Sequence, residues 1–563
     1  MKDRGRRWHL FVVRPRSSVK NKKGNDLIEP TGPQDVETAV TPPTDLPPDP
    51  PEQGGLARAV AVLAVGNVAS RVMGMAREMV KANLFGASGP LSAFEIAAYV
   101  PTSLFDLIIG GMINSALVPV FSEYATKAKR EELWRLLSTV LSVATVALLL
   151  VVLLVELLAP QIAWLLGAYE FDDPALTEVA IRLMRLATPA VFFLSIASIL
   201  TGALYALKRF TLPAFIGAVF NGTIVVVALL RPDEIDSLVW GLLLGSLLQI
   251  LLQLPALRDG RIRWNFNWRH PAIRRILRLY APIVAGLVVT QLAVALSINL
   301  ATRTGDESLT YMRYATTLYQ FPLGLVVTAI SIAILPTLSR QALGQLAIFK
   351  HTLAEGIRLV VVLILPAAAG LFALAVPIVA LLFQHGSFVP ENTATTALVL
   401  RVYLFGMPFA AVDQMLVFAC YARKDTWRPA LVGVLSVVVY ALTAVLLLNP
   451  LGLLSLVVAD AVKHMVHMLM MLVVIRWHIG SLAQQGIMPA VLKSILAALI
   501  TGGLAFATAE FLLSFVPLTT LLNKLLIVGG SGLAGLLAFT ILVRLLNIKD
   551  ARALPGLLRR KKS

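Results

Sequence analysis

Residues 58–85 read RAVAVLAVGNVASRVMGMAREMVKANLF. A helix needs about 20 mainly apolar residues to cross a bilayer, and this run is long enough. It also carries Arg71, Arg77, Glu78 and Lys81. With Gly74 these recur at helical spacing and share one face. A charge at the bilayer centre costs about 3 kcal/mol on an insertion scale, so that face turns from lipid and lines a watery cavity. Two arginines on one wall suit a phosphate or pyrophosphate, whose oxygens a guanidinium binds two at a time. The plainer alternative is that Arg77 and Lys81, nearer the helix end, reach the interface along their stems.

The rest of the chain repeats this pattern. Of 563 residues, 57% are hydrophobic and 14% charged, and mean hydropathy is +0.79. Soluble chains run at roughly 45–50% apolar and about 25% charged, so this composition reads as an all-α polytopic membrane protein. Apolar runs fall at 58–85, 91–123, 133–158, 176–207, 212–231, 237–257, 272–302, 308–339, 352–385, 392–421, 428–448, 452–478, 488–515 and 519–546. They predict about 14 transmembrane helices. Residues 1–56, with Lys and Arg ahead of a Pro/Asp/Glu/Thr-rich stretch, read as a disordered cytoplasmic tail. Residues 548–563 form a short basic tail. Cys420 is the one cysteine, in an apolar stretch, and reads as a small buried side chain.

Orientation follows from the loops. Alternate loops carry Lys127, Lys129 and Arg130, then Lys208 and Arg209, then Arg258, Arg261, Arg263, Arg269, Arg274, Arg275 and Arg278, and later Arg423, Lys424 and Arg428. The intervening loops carry Glu170, Asp172 and Asp173, then Asp233, Glu234 and Asp236, then Asp306 and Glu307. Basic loops stay inside, which places both termini in the cytoplasm. The net charge of +17 is thus a matter of topology, and no nucleic-acid partner is expected.

Further polar residues interrupt the runs. Glu95 and Asp106 lie in the second, and Asp106 reads either as a partner of Arg71 or Arg77 or as part of ion coupling. Asp413 lies in the tenth. Asp460, Lys463, His464 and His467 lie three and four apart in the twelfth. A local ion pair explains Asp460. A proton or ion relay through Asp413, Asp460 and His464 is the functional alternative. No nucleotide, hydrolase or zinc motif is present, so no cofactor, metal or catalytic residue is expected, and transport draws on an ion gradient or the membrane potential.

Ordered motifs then identify a resemblance. They are Ser70-Arg71-Val72-Met73-Gly74-Met75-Ala76-Arg77, then Ala116-Leu117-Val118-Pro119 with Ser122-Glu123-Tyr124, Gly202-Ala203-Leu204 with Lys208-Arg209-Phe210, and Asn221. Gly241, Gly245, Gln249 and Gln253 follow, then Phe321-Pro322 with Pro336-Thr337-Leu338-Ser339, Phe383-Gln384-His385-Gly386-Ser387-Phe388 and Tyr421-Ala422-Arg423-Lys424-Asp425-Thr426. The chain resembles the MurJ (MviN) lipid II flippases of the multidrug/oligosaccharidyl-lipid/polysaccharide exporter superfamily. The resemblance implies two pseudo-symmetric six-helix lobes, at 57–258 and 259–480, and two C-terminal helices within 481–547 beside a lipid groove. It implies a flippase of the bacterial cytoplasmic membrane that moves lipid II between leaflets by alternating access, among membrane lipids and beside the cell-wall synthesis machinery. Arg71 and Arg77 match the family's first-helix arginines. Elsewhere the chain departs: Ser92 replaces an acid, Phe105-Asp106 replaces a cationic segment, Thr316-Thr317 replaces an Asp-Arg pair, and Gln320 replaces a further acid. Arg71, Arg77, Glu95, Asp106, Thr317 and Gln320 are the expected substrate-binding set, in a cavity less cationic than the family's. The rival readings are an exporter of another lipid-linked glycan in the same fold, an ion-coupled exporter of organic cations, and a scaffold that has lost transport.

Overall fold

The structure is a computed structural model that describes residues 53–548 and Asp550. The tails expected at 1–56 and 548–563 lie outside the described residues except at their inner edges. The described chain is helical, without strands. In order, the apolar helices are α1 (Arg58–Phe85), α2 (Gly89–Tyr124), α3 (Arg130–Leu165), α4 (Pro174–Ala206), α5 (Ile216–Leu230), α6 (Asp236–Leu257), α7 (Pro271–Ala281 with Gly286–Thr302), α8 (Ser308–Gln341), α9 (Leu346–Ala373), α10 (Pro390–Ala422), α11 (Trp427–Leu451), α12 (Leu453–Ile479), α13 (Ile487–Leu513) and α14 (Leu521–Leu545).

Among the described residues, twelve of these are long and apolar enough to cross a membrane as single spans. The other two differ from the single spans expected at 212–231 and 272–302. α7 is two segments bent by 55°. α5 has 15 residues, about 22 Å at 1.5 Å per residue, against about 30 Å of hydrocarbon. Two boundaries also move. α3 runs through Pro160 to Leu165, beyond the expected end at 158. The expected ninth helix at 352–385 is α9 followed by a separate short helix, Ala375–Leu382.

Local chemistry accounts for several starts. Pro174 opens α4 at a position that needs no N–H, and the Asp173 side chain accepts from Ala175 N at 2.9 Å. Thr520 caps α14 by accepting from Asn523 N. Outward faces carry large apolar side chains, as in the exposed Leu149, Leu150, Leu153, Leu154 and Leu157 of α3. In water such a stripe would drive aggregation. In lipid it is matched to its solvent.

Both α2 and α8 contain π-helical stretches. Asp106–Gly110 lies in α2 and Leu323–Val327 in α8. The offset is 217 residues, from 106 to 323 and from 110 to 327. The same offset separates Pro119 from Pro336, each closing an apolar triplet. An extra residue per turn at the same register in both helices marks an internal repeat, and π-bulges concentrate at working sites.

Small residues set the contact between α5 and α6. A Cβ on Gly241 would lie 2.7 Å from Ile224 Cα, and one on Gly245 2.9 Å from Phe220 O. Both obstacles are backbone, so the helices touch only because these positions lack side chains. Gly241→Val is expected to cost about 1–3 kcal/mol through overpacking. A lower melting temperature in detergent is the result expected, and an unchanged one would show that α5 shifts freely.

At one end of the bundle two loops meet at backbone distance. Ser387 N donates to Asn83 O at 2.9 Å and Ser387 Oγ to Leu84 O at 3.0 Å. Asn392 Nδ2 donates to Ala87 O at 3.2 Å and Tyr314 OH to Gly86 O at 3.0 Å. Tyr314 itself is fully buried against Phe383, with ring centroids 4.8 Å apart. The α1–α2 loop, the α9–α10 loop and α8 thus form one seal.

Candidate substrate cavity

The shared face of α1 is the foundation of the site. Arg77 pairs with Glu78 at 2.6 Å, and its Nη1 donates to Asn221 Oδ1 on α5 at 2.9 Å. Lys81 pairs with Glu78 at 2.9 Å and more closely with Glu95 on α2. Arg313 on α8 reaches Glu78 at 3.8 Å and Glu95 at 3.6 Å. Glu78 and Lys81 are 1% and 2% exposed, so Lys81 does not reach the interface along its stem. Three cations thus surround two carboxylates, leaving one positive charge over. Arg71, one turn or more along α1, is exposed and pairs with no side chain among the described residues. It sits against Gly324 in the π-helical stretch of α8, where a Cβ would come within 2.6 Å of its Nη1.

Two cavities open onto this cluster, and a third adjoins them. The first, about 550 Å³, is bounded by Arg77, Lys81, Glu95 and Arg313 on one side and by Asp460, Lys463 and His464 on the other. The second, about 540 Å³, is lined by Arg71, Arg77, Asn221, Arg313 and Thr317. The third, about 410 Å³, is lined by Asp413, Gln414 and His464. Gln320 lines all three and marks their junction.

Arg71, Arg77, Glu95, Thr317 and Gln320 therefore all reach the cavities. The Thr317 hydroxyl, however, donates back to Arg313 O at 2.9 Å, so its own helix uses it. Asp106 is placed elsewhere. It lines none of the three cavities and pairs with neither Arg71 nor Arg77. Gln291 Nε2 of α7 approaches its carboxylate at 3.4 Å, and Tyr280 OH donates to its backbone carbonyl at 3.1 Å. Asp106 is eleven residues past Glu95, about 16 Å along the helix, where α2 faces α7 rather than α1.

On the opposite wall, Asp460 pairs closely with Lys463 and lies 3.6 Å from His464. Asp413 on α10 meets His467 on α12 at 2.6 Å. No group of three or more His, Cys, Asp or Glu side chains among the described residues is placed to hold a metal ion.

Two residues escaped the reading of the sequence. Arg313 lies one turn before Thr316 and Thr317, on the face that also carries Gln320. It adds a third cation to the cluster, beside Arg77 and Lys81. The 313, 316/317, 320 spacing was its only local signal. Tyr319 is buried at 6% exposure, and its hydroxyl has no partner among the described residues. The residue borders the first and third cavities.

The lipid II flippase MurJ family model matches residues 81–526. The chain is 27% identical over 390 residues to the lipid II flippase MurJ of Burkholderia cenocepacia, covering 67% of this chain and 76% of that one. It is 29% identical over 434 residues to the probable lipid II flippase MurJ of Rhizobium meliloti, covering 75% and 81%. In fold it matches a solved structure of lipid II flippase MurJ in an inward closed conformation, with TM-score 0.71 at 22% identity, over 86% of this chain and 99% of that one. An inward-facing multidrug resistance MATE family transporter matches with TM-score 0.63 at 14% identity, over 76% and 99%. With the family model matched across most of its length, this multi-pass membrane protein belongs to the lipid II flippase MurJ family.

Proposed function

We propose that this chain is a transporter, not an enzyme, and that it carries lipid II, an undecaprenyl-pyrophosphate-linked peptidoglycan precursor, from the inner to the outer leaflet of the bacterial cytoplasmic membrane. The observation that carries this is the cationic surplus of the α1–α2–α8 cluster, with Arg71 beside it free to meet an anion. A pyrophosphate entering the cavity gains two-point contacts from Arg71, Arg77 or Arg313. Glu78 and Glu95 keep that attraction partial, as a carrier that must release its load requires. Family membership selects lipid II among lipid-linked anions. The surplus positive charge disfavours an exporter of organic cations. Another lipid-linked glycan keeps the same pyrophosphate and remains the second reading.

In this reading both termini face the cytoplasm, and residues 57–258 and 259–480 act as two lobes that rock about the cavity. The repeated π-helical register in α2 and α8 supports that division. Asp413, Asp460 and His464 are the groups available for coupling to an ion gradient or to the membrane potential. The opposite wall holds Asp413 against His467, and Asp460 against Lys463 and His464. Cell-wall synthesis enzymes are the proposed neighbours.

Complementation tests the proposal. In a bacterium depleted of its own lipid II flippase, the parent chain is expected to restore growth. Arg77→Ala and Arg313→Ala are expected to lower transport by about 10- to 100-fold, since a charge-assisted hydrogen bond contributes about 1.5–3 kcal/mol. Absence of rescue by a well-expressed parent would reject lipid II. Full rescue by both variants would reject the cluster as its site.

A further inference from the structure

Between α6 and α7 the chain runs without helix from Gly260 to Asn267. This segment is strapped along the first turns of α3. Gly260 lies on Trp134 so closely that a Cβ would come within 2.7 Å of the ring. Arg263 N donates to Ser138 Oγ at 3.1 Å, Asn265 N to Ser142 Oγ at 3.0 Å, and Asn265 Nδ2 to Thr139 Oγ1 at 2.8 Å. Those three hydroxyl side chains are buried beneath it.

The location follows from length. α3 has 36 residues, about 54 Å, while the hydrocarbon is about 30 Å thick. The apolar part of α3 begins near Leu141, so the turns before it stand in the headgroup layer. The strap follows those turns, from Trp134 to Ser142. With Asn265 turned onto α3, the alternation of an extended chain turns Trp264 and Phe266 away from it, and Trp268 follows at a turn. They are 68%, 50% and 62% exposed.

Five exposed arginines flank these rings: Arg261, Arg263, Arg269, Arg274 and Arg278. Among the described residues none of them pairs with a carboxylate. The nearby acids are taken. Arg209 holds Asp259 at 2.6 Å, keeping its carboxyl below the usual carboxylate range. Glu123 accepts both arms of Arg275, at 2.7 Å each. Arg269 stacks on Trp268, 5.2 Å from the ring centroid.

We infer that the Arg261–Arg278 strap is a binding seat for anionic phospholipid headgroups, with Trp264, Phe266 and Trp268 set at the hydrocarbon edge and the arginines on the phosphates. Indole rings favour that depth, guanidinium groups bind phosphate oxygens, and basic juxtamembrane segments attract anionic lipid. The seat pins the connection between α6 and α7. It rests on the membrane-spanning fold and is independent of what is transported.

The test uses the full chain in vesicles that contain acyl-brominated phosphatidylglycerol or acyl-brominated phosphatidylcholine in a phosphatidylcholine background. The fluorescence assigned to the seat is the difference between the parent and a Trp264→Phe/Trp268→Phe variant. Brominated phosphatidylglycerol is expected to quench it at least about twofold more than brominated phosphatidylcholine at equal mole fraction. Arg261→Gln/Arg263→Gln/Arg269→Gln/Arg274→Gln, or about 1 M salt, where the screening length falls to about 3 Å, is expected to abolish that excess. Equal quenching by the two lipids, or an excess that survives both treatments, would overturn the proposal. The salt arm reads the parent and holds even where the fourfold variant does not fold.

Discussion

Glu78→Ala is expected to destabilise the protein by about 3–5 kcal/mol, the range for removing one partner of a buried ion pair. Glu78 is 1% exposed and touches all three cations of the cluster: Arg77 at 2.6 Å, Lys81 at 2.9 Å and Arg313 at 3.8 Å. Removing it leaves three positive charges around Glu95 alone. Lys81 keeps Glu95 but loses one of its two carboxylates, and at 2% exposure no water replaces it. The effect reads out as a lower midpoint of thermal unfolding in detergent. Glu78→Ala with Lys81→Met is expected to recover much of the loss, since the second change removes one of the two positive charges that the first left in excess over Glu95. Coupling of this kind between touching residues runs to about 0.5–3 kcal/mol. Additive losses in the double variant would show that the cluster is not one electrostatic unit. Glu78→Ala is also expected to tighten pyrophosphate binding while slowing transport, because the extra positive charge holds the anion in a site that has to let it go.

Gly386→Val is expected to break the seal between the α1–α2 and α9–α10 loops, and Gly86→Val to do the same. Gly386 has φ +55° and Gly86 φ +62°, the left-handed region where a side chain costs about 1–3 kcal/mol. Space is a second obstacle. A Cβ on Gly386 would sit 2.3 Å from Asn83 O, and one on Gly86 2.5 Å from Ser387 O. Each glycine thus faces the other loop's backbone, with no flexible side chain to move aside. The Ser387–Asn83 hydrogen bond cannot survive such a push. A cost of about 2–3 kcal/mol shifts a closed–open equilibrium by roughly 30- to 150-fold. Accessibility of Ala87→Cys to a membrane-impermeant maleimide, in a Cys420→Ala background, measures this. Labelling is expected to rise at least tenfold when either glycine is replaced. Unchanged labelling would mean that the seal yields without opening. In the proposed orientation this is the outer end of the cavity, so the same variants are expected to lose transport by failing to close.

Both predictions show which parts of the molecule could be read in the linear chain. The charges of α1 were legible because residues three and four apart share a face whatever surrounds the helix. That spacing alone puts Arg71, Arg77 and Lys81 on one wall, and all three line the cavities. The glycine pair was not legible. Gly86 and Gly386 stand 300 residues apart, and nothing near either names the other. Asp106 misled for a related reason. Its charge sits in an apolar run just as Glu95 does, but eleven residues along α2 the helix has a different neighbour, and the carboxylate meets Gln291 in place of an arginine.

The sequence by itself determined the class of fold, the positions of the apolar helices and the alternation of basic and acidic loops. These follow from local hydropathy and charge, and the bilayer acts on each segment separately. Tertiary structure decided which charges meet. Arg313 joins Glu78 and Glu95 across more than 200 residues, Asn221 holds Arg77, and Gln320 comes to stand where three cavities join. α5 falls short of a full span, and α7 bends by 55° at the break that begins with Pro282, where proline takes a donor from the helix ladder. Long-range ion pairs depend on distances that no local pattern encodes, so the net charge of the cavity became known only when the helices were assembled.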